Sequence, residues 1–186
     1  MKEGIRVLGV DDAAFEFDDE ETFLTGVVYR GTEFIEDIET VPVTVDGDDA
    51  TSRVVQLFED CNNPRQIKAV LLDGVSFAGF NVVDFHRVSE EIDRPVIVVT
   101  ANEPDREDFR DTMERTGNVD EVFDEFAEAE EVVLEDGSCY IQYAGASREK
   151  AGQVVRNSII HGQVPEPIRV AHMIGRSGVC IEKEDR

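Results

Sequence analysis

Ile5-Arg6-Val7-Leu8-Gly9-Val10-Asp11-Asp12 and Ile67-Lys68-Ala69-Val70-Leu71-Leu72-Asp73-Gly74 are built alike: a short, nearly all-apolar run, rich in β-branched residues, that ends on acid. Strands buried on both faces of a sheet require such runs. A buried strand has no use for a carboxylate along its length, but its carboxyl end is where α/β sheets place ligands. Two carboxylates at neighbouring strand ends would make a cation site.

On either side of these runs the chain alternates between extended and helical patterns. The first strand (about 5–11) is followed by acidic Phe15 to Glu21 and then by apolar Phe23-Leu24-Thr25-Gly26-Val27-Val28-Tyr29. Arg30-Gly31-Thr32-Glu33 reads as a turn into a third extended run, Phe34 to Val45, which completes an antiparallel meander. Asp46-Gly47-Asp48-Asp49 precedes a helix at about 50–60, with Asp49 or Thr51 as N-cap and Val54, Val55, Leu57 and Phe58 as its apolar stripe. The strand at 67–73 leads through Ser76-Phe77-Ala78-Gly79 into a helix at about 80–92, and Pro95 to Thr100 forms a fifth buried strand. Residues 105–129 are charged and helical in pattern, with Phe109, Met113, Val122, Phe123 and Phe126 turned inward. A hairpin follows, with Val132-Val133-Leu134 and Cys139 to Tyr143 around Asp136-Gly137. Helices at about 147–160 and 166–175 close the chain, the second starting between Pro165 and Pro167. The order βββ-α-β-α-β resembles a ribonuclease H-like fold. The fold expected is α/β, a mixed sheet of a three-strand antiparallel meander plus parallel strands flanked by helices, in one domain over 1–186. Such folds carry acids at the ends of their first and fourth strands, here Asp11 and Asp73.

The 186 residues carry a net charge of −24, and four of the eighteen basic residues are lysines. Taken alone, this charge opposes a polyanionic partner. Haloarchaeal proteins share the pattern, and in concentrated salt the Debye length falls to about 3 Å, which confines the repulsion to contact range. The acidity therefore reads as adaptation to a salty solvent. It is also uneven: residues 148–178 hold Arg148, Lys150, Arg156, Arg169 and Arg176 against only Glu149 and Glu166. That segment is either an acid-poor piece of core or a phosphate-facing surface, and the second reading makes Arg169 a candidate substrate contact. Cys61, Cys139 and Cys180 form no CxxC pair and read as free cytosolic thiols. No apolar stretch approaches bilayer length, and the N-terminus lacks a signal-peptide layout, so a cytoplasmic protein without a membrane partner is expected.

Asp11 and Asp73 could hold the Mg²⁺ or Mn²⁺ of a phosphodiester-cleaving site, where three or four carboxylates converge on ions about 3.5–4 Å apart. Asp12 falls on the opposite face of a continuing strand. The Asp46–Asp49 cluster is the local source of a third acid, and is equally a solvated turn and helix cap. Among the histidines, His161 reads as a helix C-cap, His86 as packing, and His172 as a group able to position water or assist a metal.

Tyr140-Ile141-Gln142-Tyr143-Ala144-Gly145-Ala146-Ser147 and Val164-Pro165-Glu166-Pro167-Ile168-Arg169-Val170-Ala171-His172 resemble the C-terminal region of endonuclease V, whose PEP-x-R-x-A-[D/H] helix ends on an active-site residue. Asp11 and Asp73-Gly74 resemble that family's first acidic motif and its later DG motif. The family's Glu before the first helix places Asp49 nearest to it, with Asp46 and Asp48 as rivals. Over nearly its whole length the chain looks like the archaeal endonuclease dU family, through VLGVDDA, VDGDDAT, LLDGVSFAGFNVVD and VPEPIRVAH. The resemblance implies a metal-dependent endonuclease that nicks DNA at deaminated bases, deoxyuridine foremost, with RNA left open as a substrate. It also implies Asp11, Asp73, Asp49 and His172 as catalytic residues, the three aspartates holding Mg²⁺ or Mn²⁺. A PYIP-like wedge is absent, and Ala78-Gly79-Phe80 stands where HPR follows the DG motif of endonuclease V. Gly79 and Phe80 are thereby candidates for substrate binding, Phe80 as an aromatic face for an extruded base or as ordinary core.

Two other readings compete. A receiver-type phosphoacceptor would share the acidic pair, the strand-end Asp73 and Thr100-Ala101, but needs a helix directly after the first strand. A ribonuclease H-like domain that only binds nucleic acid would tolerate the replacement of Glu by Asp at the third acid.

Overall fold

The computed structural model describes residues 4–16, 18–104 and 129–178. The helical pattern read at 105–129 falls almost wholly outside that set, as does Cys180.

Strands β1 (Arg6–Asp12), β2 (Glu21–Arg30) and β3 (Phe34–Thr44) form the antiparallel meander, so β1 is followed by a strand and the receiver-type order is not adopted. β4 (Ile67–Asp73) pairs parallel with β1, and β7 (Val96–Thr100) parallel with β4. β9 (Gly137–Ala144) adds antiparallel to β7, and β8 (Glu130–Leu134) closes the far edge. The result is one mixed seven-stranded sheet, ordered β3-β2-β1-β4-β7-β9-β8. Helices α1 (Ala50–Asp60), α2 (Phe85–Ile92), α3 (Arg148–Ser158) and α4 (Glu166–Arg176) flank it, which is the ribonuclease H-like architecture expected.

The central strands are apolar throughout because both of their faces are covered. Leu8, Val10, Val70, Leu72, Val96 and Val98 pack with Val54 and Leu57 of α1 and with Phe85 and Val88 of α2. The alternate residues Val7, Ala69, Leu71, Ile97 and Val99 pack with Ala151, Val154 and Val155 of α3 and Ile168 of α4. Period-two alternation thus sends each strand's side chains into two separate cores. Each fully buried Leu or Ile contributes roughly 1.5–3 kcal/mol relative to exposure. Among the described residues no helix is long and apolar enough to cross a membrane.

One segment differs from its sequence pattern. In place of a helix from about residue 80, Ser76–Phe77 (β5) and Asn81–Val82 (β6) form a small hairpin, and α2 begins only at Phe85. Ala78 and Gly79 at its tip both have positive φ, 46° and 85°, a backbone that no helix accommodates. The helix instead starts behind Asp84, whose carboxylate accepts the Arg87 N–H at 2.8 Å.

Candidate active site

Register brings the two strand-end acids together. Val10 aligns with Leu72 in the parallel β1–β4 pair, and one step further along each strand are Asp11 and Asp73. Both follow residues of the α4 side, Gly9 and Leu71, at spacing two, so their side chains emerge beneath α4. Asp12 turns to the other face, where its carboxylate accepts the Ala78 N–H at 2.6 Å.

Two glycines allow α4 to lie against β1. A Cβ on Gly9 would come within 2.3 Å of the Pro167 carbonyl carbon, and one on Gly175 within 2.7 Å of the Asp12 carbonyl oxygen. No real Cβ tolerates such distances, so both ends of the helix sit on the strand at glycine contact. His172, one turn before Gly175, thereby reaches Asp11, with Nδ1 and Oδ2 2.7 Å apart. The Pro-Glu-Pro-Ile-Arg start of the helix has its own lock. Glu166, 5 % exposed, accepts two hydrogen bonds from Arg169, at 2.9 and 2.7 Å.

The acids are held without enough counter-charge. Burial, then the charge of Asp73, raises the Asp11 carboxyl from 3.8 to about 6, against the opposing hydrogen bond from His172. Burial also raises Asp73, with Asp12 adding to the effect and His172 opposing it. Asp12 is raised by burial too, while the Ala78 N–H, the Asp12 N–H, His172 and Arg176 pull it back. Three carboxylates all pushed toward the neutral form describe a place that favours a cation. One ligand atom from each of Asp11, Asp73 and His172 lies within 4.8 Å of the other two. Two hard carboxylate oxygens suit Mg²⁺, and the imidazole nitrogen extends the fit toward Mn²⁺. The residues present therefore fit a divalent cation, with Asp11, Asp73 and His172 as its holders.

Asp49, the third ligand implied by the family resemblance, does not join this group among the described residues. Its oxygens accept from Thr44 N–H and O–H at 3.2 and 3.1 Å, from Asn81 at 2.8 Å and from Arg53 at 2.9 Å. Those donors overcome partial burial and hold its carboxyl below the usual range. Its side chain makes no helix-capping bond either, and the Ala50 N–H is taken by Asn81. The rival Asp46 accepts the Phe80 N–H at 2.9 Å. Asp12 is instead the third carboxylate in the field of Asp11 and Asp73. The Gly79 and Phe80 backbone belongs to the hairpin tip, and Phe80 is 39 % exposed, so its ring is not core. Arg169 is taken up by Glu166 and by the Met173 sulfur at 3.0 Å. His86 stacks on Phe85 with ring centroids 4.5 Å apart, and exposed His161 lies beyond the end of α3 rather than capping it.

The match to known proteins follows this geometry. The endonuclease dU family profile covers residues 3–179. The chain belongs to the endonuclease dU family. A UPF0215 protein of Methanothermobacter thermautotrophicus is 36% identical over 97% of this chain and 90% of its own length. The crystal structure of an Archaeoglobus fulgidus protein of unknown function has a TM-score of 0.79 at 33% identity, covering 91% of this chain and 95% of that one. Endonuclease V of Ciona intestinalis, in complex with DNA containing an inosine, has a TM-score of 0.58 at 18% identity, covering 91% of this chain and 83% of that one. At that identity the likeness speaks for the ribonuclease H-like nuclease fold alone. Membership of the endonuclease dU family supports a nuclease.

Gly9, Gly175 and Asn81 carried no functional signal in the sequence, yet this endonuclease dU member depends on them for shape. Asn81 is fully buried and ties Ala50, Thr44 and Asp49 together. A glycine inside an otherwise β-branched strand, facing a later helix that also contains glycine, was the available clue.

Proposed function

We propose that this endonuclease dU member is a divalent-metal-dependent endonuclease that nicks DNA at deaminated bases, deoxyuridine foremost. The observation that carries the reading is the convergence of Asp11, Asp73 and His172 under α4, with the carboxylates destabilised in the absence of a cation. A divalent cation bound there supplies Lewis-acid stabilisation of charge on the scissile phosphate. Asp11 and Asp73 hold it and fix its position at the strand ends. The half-exposed His172 ring, hydrogen-bonded through Nδ1 to Asp11, orients that carboxylate and leaves Nε2 as the nitrogen that would complete the cation's holders.

The exposed Phe80 ring sits at a hairpin tip whose backbone is tied to Asp12 and Asp46. An exposed aromatic ring on a hairpin anchored in this way suits stacking of a base taken out of the duplex. Gly79 serves that tip: its φ is +85°, and a Cβ would stand 2.2 Å from the Asp46 carboxylate.

The test is nicking of duplexes carrying deoxyuridine, hypoxanthine or xanthine, with Mg²⁺ or Mn²⁺ in concentrated salt. The expected result is a cut at the deoxyuridine strand that disappears on chelation and in Asp73→Asn. Binding without any cut in the wild type would favour the non-catalytic nucleic-acid-binding reading. Cleavage that persists in Asp73→Asn would overturn the site.

A further inference from the structure

The basic residues of the C-terminal segment fall into two groups. Arg148 pairs with Glu130, and Arg169 is locked by Glu166. Elsewhere Arg53 is held by Asp49 and Arg94 by the Ile67 carbonyl. Lys150, Arg156 and Arg176 are exposed and make no side-chain hydrogen bond or ion pair among the described residues, and of these three only Arg176 lies on α4, the helix that carries His172. It is also well placed. His172 and Arg176 are four residues apart in α4, so they share one face of the helix one turn apart. The preceding residue is Gly175, whose contact with the Asp12 carbonyl and the Ala13 Cα seats this end of α4 on the end of β1.

We propose that Arg176 binds a backbone phosphate of the nucleic-acid strand at the Asp11–Asp73–His172 site, an assignment that rests on the nuclease reading above. Three carboxylates repel a phosphodiester, and one divalent cation leaves that cluster still negative. A positive group must therefore meet the phosphate from the protein side. A guanidinium presents a planar fork of N–H donors that matches two phosphate oxygens, and its charge does not depend on pH. The Arg176 guanidinium lies close enough to Asp12 for their charges to interact, which puts it beside the acid cluster. A solvated arginine that serves only solubility has no need of this placement. The chain is otherwise covered in acid.

The experiment compares full-length wild type, Arg176→Ala, Arg176→Lys and the charge-matched control Arg87→Ala, which lies on α2 and pairs with Glu91. Single-turnover nicking of a deoxyuridine duplex at saturating Mn²⁺ is read beside Mn²⁺ affinity, melting temperature and DNA affinity in Ca²⁺ across a salt series. Arg176→Ala is expected to lower kcat/KM roughly 10- to 100-fold, the loss of one charge-assisted phosphate contact. Arg176→Lys should recover part of this, since it keeps the charge and loses the fork. The salt slope of DNA affinity should fall by about 1 in Arg176→Ala, with Mn²⁺ affinity and melting temperature unchanged. The inference is overturned if Arg176→Ala nicks as wild type does, if Arg87→Ala loses as much, or if Mn²⁺ affinity falls in parallel. Should the wild type cut no deaminated strand, the nuclease reading fails on its own. The salt slope then still decides the phosphate contact: a slope lowered only in Arg176→Ala supports it, and an unchanged slope overturns it.

Discussion

Two acid-rich clusters stand at the same end of the sheet, and they have opposite electrostatics. Under α4, Asp11 and Asp73 lie together with one imidazole bonded to Asp11, and both are pushed toward neutrality. At the base of α1, Asp49 receives N–H and O–H groups from Thr44, Asn81 and Arg53 and is held ionised. Asp46 beside it binds the hairpin tip. The density of carboxylates is similar; the supply of donors is not. A carboxylate whose donors outweigh its burial stabilises the fold, and one whose burial outweighs its donors is left available to a cation.

The sharpest way to break this comparison is to neutralise one acid in each cluster. Asp73→Asn is expected to reduce nicking by on the order of 10³-fold, the scale of a lost cation worth several kcal/mol at the transition state. Asp49→Asn should nick nearly as wild type once folded, but lose about 1–2 kcal/mol of stability with its charged hydrogen bonds. Chemical denaturation beside single-turnover kinetics reads both. A dead Asp49→Asn with an unchanged denaturation midpoint would return Asp49 to the list of ligands.

Gly9→Ala tests what brings His172 to the acids. The added methyl meets backbone at Pro167 and Ile168, so α4 must lift, at about 1–3 kcal/mol. Loss of Mn²⁺ affinity beyond the loss of stability, measured by titration calorimetry on the folded variant, is the expected sign.

The pH dependence of the metal-free protein separates the clusters by direction. Asp11 binds its proton more tightly folded, at about 6, than at its ordinary 3.8. Its contribution is therefore favourable below the unfolded value and is lost as pH rises toward 6. Asp11→Asn should accordingly be more stable than wild type in chelator at neutral pH, by on the order of 2 kcal/mol, and lose that advantage in acid. Asp49, held below its ordinary value, contributes in the reverse sense: its stabilisation is present at neutral pH and fades as pH falls through its folded value. Thermal melts from acid to neutral pH, with and without Mn²⁺, would show whether the two variants diverge as stated.

The smallest effect concerns Arg169. Removing its guanidinium leaves Glu166, nearly buried, without its partner, and Arg169→Ala is expected to cost about 1–2 kcal/mol with Mn²⁺ affinity retained. A large loss of DNA affinity with stability intact would instead make Arg169 the substrate contact that its sequence context implied.

Much of this was legible in the chain itself. Ile67 to Asp73 and Ala50 to Asp60 are bounded by their sequence patterns, because a nearly all-apolar run and a period-3.6 stripe each have one structural solution. The hairpin at Ser76–Val82 is not legible. Ser76 to Gly79 reads as a loop, but Asn81-Val82 reads as helix because a two-residue return strand carries no period of its own. Nothing local announces the positive φ of Ala78. That conformation is held by Asp12, 66 residues away, and by Asp46. Asp49 is ambiguous in the sequence for a related reason: an acid before a helix looks the same whether it faces a cation or four donors.

The sequence by itself determined the order of elements, the two strand-end aspartates and the family, because periodicity, chain order and motif are one-dimensional properties. Which acids are buried more than their donors offset, and which helix face meets them, only the tertiary structure decided. Hydrogen bonds to Asp49 come from residues up to 32 positions away, and His172 meets Asp11 across 161. That meeting depends on two glycines whose missing side chains let a helix lie directly on a strand.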